Sequence, residues 1–198
     1  MKKNIVVFAS GNGSNFININ KCIHKGLING KIVLLISNNP KCGAVLFAKN
    51  NRIDCKIIND FRYPILKNKN KEYELVLKYY KTNLILLAGY MKKIPVNIVK
   101  IYKNKIMNIH PALLPDYGGD GFYGMKVHDA VINANEKVSG ATVHLVNNEY
   151  DKGSIIIQEK LKISKLETAK TLAKKILKIE HSIYPKAVEM FCLNKIKI

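Results

Sequence analysis

Ile5-Val6-Val7-Phe8-Ala9-Ser10-Gly11-Asn12-Gly13-Ser14-Asn15-Phe16 is the stretch from which the architecture is read. Five apolar residues in succession suit a strand buried on both faces, as in a parallel sheet covered by helices. The chain then turns through glycines and runs into a helix. Glycine permits a tight turn and a close approach of backbone to ligand, and the helix N-terminus beyond it offers unpaired N–H groups and a partial positive charge. A phosphate would sit there. The segment lacks the third glycine of a dinucleotide fingerprint, and no acidic residue clearly closes the next strand. A plain strand-to-helix connection capped by Ser or Asn is the competing account.

Outward from this turn the same alternation recurs. Further strands are expected at Ile32–Ser37, Cys55–Ile58, Leu84–Ala88 and Ile106–Ile109, and helices at Asn15–Leu27, Lys41–Asn50, Lys71–Lys81 and Pro95–Tyr102. This predicts an α/β fold, a single doubly wound and mostly parallel sheet with helices on both faces. After Ile109 the pattern changes to a Pro- and Gly-rich loop, Pro111 to Gly124, then a short helix through about Asn135. Strands at Gly140–Asn147 and Ser154–Ile163 follow, joined by a turn-rich connection of hairpin length that makes an antiparallel portion near the C-terminus. A helix from about Glu167 to His181 is expected next, with a further turn of helix toward Phe191 beyond Pro185. The 198 residues suit one domain, 1–198.

Composition narrows the class. A hydrophobic fraction of 47% is globular, and no apolar run approaches the roughly 20 residues that span a bilayer. Cys22, Cys42, Cys55 and Cys192 form no C-x-x-C pair, so reduced thiols, a cytoplasmic location and no metal are expected. The net charge of +19 is also the footprint of a nucleic-acid binder. Runs such as Lys67-Asn68-Lys69-Asn70-Lys71 equally fit codon drift on a solvated surface. The lysines are scattered and the chain lacks Trp, which argues against a stacking platform for nucleic acid and leaves no specific nucleic-acid partner.

Met107-Asn108-Ile109-His110-Pro111 closes the fifth strand, at the carboxyl end of the sheet where open α/β folds bind ligands. Alternation puts Asn108 and His110 on one face. An amide donor beside an imidazole is what acyl transfer needs, one to hydrogen-bond an oxyanion and the other to exchange a proton. A structural Asn and a strand-end His are the alternative for an isolated pair.

Five motifs in order resemble the folate-dependent formyltransferases, closest to those that act on phosphoribosylglycinamide. They are Gly11-Asn12-Gly13-Ser14-Asn15 after its strand, Leu87-Ala88-Gly89-Tyr90-Met91, Asn108-Ile109-His110-Pro111 followed by Ala-Leu-Leu-Pro, Gly140-Ala141-Thr142-Val143-His144, and Asp151-Lys152-Gly153. The resemblance implies a Rossmann-like formyltransferase fold and direct transfer from 10-formyltetrahydrofolate, without metal, to glycinamide ribonucleotide. It places the substrate phosphate at Gly13, Ser14, Asn15 and Phe16, and the glycinamide end near Lys178 and Glu180, a solvated helical Glu being the competing view. The folate is expected against Met91, Lys92, Lys93 and Ile94, with Asn108 and the loop Asn147, Asn148, Glu149, Tyr150 and Asp151. Asn108, His110 and Asp151 are the implied catalytic residues, with Asp151 holding His110 charged by raising its pKa. Three departures are visible: Lys92-Lys93 where an arginine and an apolar residue are usual, Leu177 at a polar contact position, and a single glycine after Asp151.

The partners are therefore small molecules, with no membrane, and the chain is a monomer or homodimer. A methionyl-tRNA formyltransferase would carry a further C-terminal domain, and a formyltetrahydrofolate deformylase a domain ahead of the phosphate turn. A non-catalytic basic nucleotide-binding module is the alternative of a different class.

Overall fold

Lys3–Phe8 forms β1, an interior strand of a seven-stranded sheet in this computed structural model, whose described residues are 1–196. The other strands are β2 (Gly30–Ser37), β3 (Cys55–Ile57), β4 (Leu84–Leu87), β5 (Ile106–His110), β6 (Val138–Leu145) and β7 (Ile155–Lys162). Their order is β3-β2-β1-β4-β5-β6-β7. The first five strands are parallel, while β6 runs antiparallel to β5 and β7 antiparallel to β6. The order reverses between β1 and β4, so their carboxyl ends frame the crevice in which such sheets bind ligands.

The helices are α1 (Ser14–His24), α2 (Gly43–Asn50), α3 (Leu66–Tyr79), α4 (Val96–Ile101), α5 (Met125–Asn133) and α6 (Ala169–Cys192). Strand alternation sorts the core into two layers. Ile5, Val7, Leu86, Met107 and Val143 pack with Phe16 and Ile19 of α1, Ala44 of α2 and Ile176, Ile183 and Val188 of α6. Val6, Phe8, Ile85 and Leu87 face the other way, against Tyr73 and Leu77 of α3 and Ile98 of α4. Since Met107 and Ile109 point into the first layer, Asn108 and His110 emerge on the opposite face.

Two expectations change. The third helix starts at Leu66 rather than Lys71, because Lys69 folds back onto Asp60 and its N–H bonds Ile65 O at 3.0 Å. The lysine- and asparagine-rich run is therefore its first turns. The last helix is continuous through Pro185. Proline has no N–H for the carbonyl four residues back, which normally ends or kinks a helix. Here the freed His181 carbonyl accepts the Asn18 Nδ2–H of α1 at 2.8 Å, so the missing bond is replaced from a neighbouring element.

Candidate active site

The phosphate turn follows β1. Gly13 caps α1 with φ 74 and no side-chain bond, which leaves the N–H groups of Ser14, Asn15 and Phe16 without a protein acceptor among the described residues. The Ser or Asn cap of the competing account is thus absent, and the donors stay available to an anion. A side chain at position 13 would meet the Cβ of Ala44 at 2.8 Å. The Phe16 side chain is fully buried against Phe47, so only its backbone can touch a ligand.

Asn15 Nδ2 donates to Glu180 Oε2 at 2.6 Å, while Asn15 Oδ1 is buried without a partner. Burial pushes the Glu180 carboxyl up to about 7, opposed by the Asn15 bond. Glu180 therefore stands beside the phosphate turn, as an enclosed group rather than a solvated one. Lys178 is not brought to it: two helical positions turn through about 200°, and the residue is exposed.

Antiparallel pairing of β5 with β6 places Asn108 opposite His144 and His110 opposite Thr142. Thr142 Oγ1 donates to Ala112 O at 2.7 Å and accepts from Leu114 N–H at 3.1 Å, fixing the loop that leaves β5. That loop folds back so that Tyr117 O accepts from His110 Nε2 at 2.8 Å and Gly119 N–H donates to Asp151 Oδ2 at 3.0 Å. Asp151 lies after β6 in the left-handed region, φ 55, which Asp tolerates better than most residues. Its position depends on the close approach of Gly153 to Leu145 O, where an added Cβ would lie at 1.7 Å.

Asp151 sits between two imidazoles, with Oδ2 3.6 Å from His110 Nδ1 and Oδ1 3.4 Å from His144 Nε2. His144 Nδ1 donates to Leu145 O at 2.8 Å. Its Nε2 therefore turns to Asn108 Nδ2, 3.1 Å away, and Asn108 Nδ2 also reaches Asp151 Oδ1 at 3.3 Å. Burial raises the Asp151 carboxyl, but the two histidines beside it and the Gly119 N–H outweigh it and hold it below its ordinary value.

The expected elevation of His110 is corrected. Asp151 does pull its pKa upward, but the ring is only 4% exposed and loss of hydration dominates, so the net shift is downward. Its Nε2–H is committed to Tyr117 O, and Nδ1 faces Asp151.

The expected folate segments meet. Lys93 Nζ lies 4.9 Å from the Tyr150 ring centre, which joins residues 91–94 to the loop 147–151. Met91 is exposed, whereas Ile94 is buried in the second core layer and supports the segment from beneath. Lys92 reaches toward Asp60 at 3.9 Å. Asn147 Oδ1 accepts the Glu149 N–H at 3.0 Å and turns the loop, and Asn148 is exposed. A cavity of about 290 Å³ opens beside Asp151, lined by Leu114, Gly118, Gly119, Tyr150 and Ile155.

Sequence reasoning assigned no role to His144, Thr142, Ser10 or Tyr184. Tyr184 is wholly buried, its hydroxyl shared between Leu87 O at 3.0 Å and Met107 O at 3.1 Å, so α6 is anchored to the end of β4 and the start of β5. The period-two spacing of Thr142 and His144 was the one available signal for a common face.

The family model for formyl transferase matches residues 3–188. The chain is 41% identical to the chloroplastic phosphoribosylglycinamide formyltransferase of Arabidopsis thaliana, over 99% of this chain and 68% of that protein. It is 33% identical to the phosphoribosylglycinamide formyltransferase of Bacillus subtilis, over 94% and 93% of the two chains. The crystal structure of glycinamide ribonucleotide transformylase 1 from Symbiobacterium toebii superposes with a TM-score of 0.92 at 29% identity, covering 100% of this chain and 91% of that one. A formyltetrahydrofolate deformylase from Pseudomonas syringae, at 20% identity, shares the fold. With a family match across nearly its whole length and these relatives, the chain belongs to the phosphoribosylglycinamide formyltransferases of the formyl transferase family.

Proposed function

We propose that residues 1–198 act as one catalytic domain that transfers the formyl group of 10-formyltetrahydrofolate to the amine of glycinamide ribonucleotide. The products are formylglycinamide ribonucleotide and tetrahydrofolate, a step of purine synthesis. The observation that carries the proposal is the placement of Asp151 between His110 and His144, beside Asn108. The open N–H groups of Ser14, Asn15 and Phe16 suit the phosphate, and the acceptors Asn15 Oδ1 and Glu180 suit sugar hydroxyls. A second cavity of about 400 Å³, lined in part by Lys69, Lys92 and Lys93, adjoins the folate segment and suits a carboxylate-bearing tail.

In this scheme the glycinamide amine attacks the formyl carbon and a C–N bond forms. Neutral His110 takes the amine proton on Nδ1, and Asp151 stabilises the imidazolium that results. The oxyanion competes with Asp151 for an Asn108 N–H, whose 3.3 Å bond to the carboxylate is the longer of its two. Collapse breaks the bond from formyl carbon to folate nitrogen, and the proton held by His110 passes to that nitrogen. Four cysteines without disulfides suit a reducing compartment, the cytosol by default. Among the described residues no helix is long and apolar enough to cross a membrane.

The test is to incubate the purified chain with 10-formyltetrahydrofolate and each acceptor separately. Formylated glycinamide ribonucleotide, formed in step with tetrahydrofolate, is expected. Formate release independent of acceptor, or formylation of methionyl-tRNA alone, would replace the assignment.

A further inference from the structure

Ser10 lies just beyond β1 and opens the phosphate turn, and each of its polar groups is used. Its N–H donates to Gly89 O at 3.0 Å, just beyond β4. Its carbonyl accepts from Asn39 Nδ2 at 3.3 Å, beyond β2. Its hydroxyl donates to Asn38 Oδ1 at 2.5 Å and accepts the Met91 N–H at 2.8 Å. Asn38 is braced in turn by Asn59 Nδ2, which donates to its carbonyl at 3.0 Å. Ser10 is only 9% exposed, so water does not readily replace these bonds.

A generic strand-end serine needs none of this. The hydroxyl has one proton, and Asn38 claims it, so the oxygen lone pair is directed to the Met91 N–H. Met91 is the first residue of the segment placed against the folate, and Gly11 is the first of the turn placed against the phosphate. Neither ligand needs to touch Ser10 for its position to matter to both. A shift of the turn on phosphate binding moves the oxygen that holds Met91, and ordering of the folate segment pulls on the turn.

We infer that Ser10 is a positioning residue that couples the two substrate sites, each ligand tightening the site of the other through the Asn38–Ser10–Met91 bonds. The inference rests on the function proposed above. Coupling of this kind is reciprocal, the same factor applying in both directions.

The experiment titrates the full chain with tetrahydrofolate, anaerobically, with and without saturating glycinamide ribonucleotide, and then in the reverse order. No formyl group is present, so binding is read without turnover. The wild type should bind each ligand about fivefold or more tightly in the presence of the other, the lower end of usual coupling. Ser10→Ala should reduce the factor to below about twofold. Asn38→Ala, which leaves Ser10 in place but removes its acceptor, should do the same, and Asn38→Asp, which keeps an acceptor, should restore it. Asn38 also lines the cavity near Lys92, but a direct contact with folate changes both affinities equally and cancels in the ratio. A merely structural role would lower stability without moving that ratio. If the wild type binds both ligands without coupling, or if both alanine variants keep it, Ser10 has no such role. If neither ligand binds the wild type, the proposed function itself fails.

Discussion

Asn108 and His144 face each other across the antiparallel pair β5–β6, with Asn108 Nδ2 3.1 Å from His144 Nε2. The pairing explains why a second histidine belongs to the site. His144 donates Nδ1–H to Leu145 O, so its Nε2 accepts an Asn108 N–H, and the same amide donates to Asp151 Oδ1 at 3.3 Å, which fixes the carboxylate through Asn108.

His144→Ala should therefore reduce turnover by roughly one to two powers of ten, since it leaves an Asn108 N–H short of a buried partner, at a cost of about 1–3 kcal/mol. The KM for glycinamide ribonucleotide should move by less than about threefold, because the phosphate turn follows β1, which β4 separates from this strand pair. Steady-state kinetics decide it. Unchanged turnover would make His144 a packing residue.

The pairing of Asp151 with His110 is tested by pH. Burial lowers His110 below its ordinary value, and neutral His110 is the competent base, so kcat/KM should fall as pH drops through a pKa below about 6.5. Asp151 is the charge that opposes this lowering. Asp151→Asn should move that limb to still lower pH while the plateau falls about a hundredfold. His110→Asn should cost at least as much, and the double variant little more than the worse single, as for residues acting as one unit. A limb unmoved by Asp151→Asn belongs to the substrate amine. Activity that rises on acidification would reverse the roles.

Two glycines of the phosphate turn separate binding from folding. An added Cβ at Gly11 meets nothing within 4 Å, whereas at Gly13 it meets Ala44 and the backbone is left-handed. Gly11→Val should keep stability within about 0.5 kcal/mol and raise the KM for glycinamide ribonucleotide about tenfold, with the folate KM nearly unchanged, as expected for lost charge-assisted bonds. Gly13→Val should instead lose about 2 kcal/mol or more of stability. Thermal unfolding and the two KM values distinguish these outcomes, and a normal substrate KM for Gly11→Val would remove the phosphate from this turn.

The α1–α6 contact predicts a non-additive pair. Asn18→Ala leaves the His181 carbonyl without its donor and should cost about 1–2 kcal/mol. In a Pro185→Ala background the restored N–H takes that carbonyl, and the same Asn18 substitution should then cost less than about 0.5 kcal/mol. Denaturant unfolding of the four proteins measures the difference. Equal costs in the two backgrounds would show that the Asn18 bond contributes nothing as a substitute for the helical one.

The strand-turn-helix at Ile5–Phe16, the continuous apolar runs and the same-face spacing of Asn108 and His110 were legible in the sequence, because they follow from short-range periodicity and glycine chemistry. So was the presence of Asp151, through its place in a motif series. Helix α6 was misread at Pro185 because local rules end a helix there, while the donor that replaces the missing bond sits 163 residues away in the chain. His110 was expected to be charged because a carboxylate neighbour can be inferred from sequence, whereas the burial that outweighs it is a property of the folded loop. His144 joins Asn108 only through the β5–β6 register, and Ser10 reaches Met91 only because β1 and β4 lie side by side. Sequence by itself determined the elements and the chemical types present. Tertiary structure alone decided which polar groups share a hydrogen bond, since that depends on register and enclosure, and neither is encoded within a single segment.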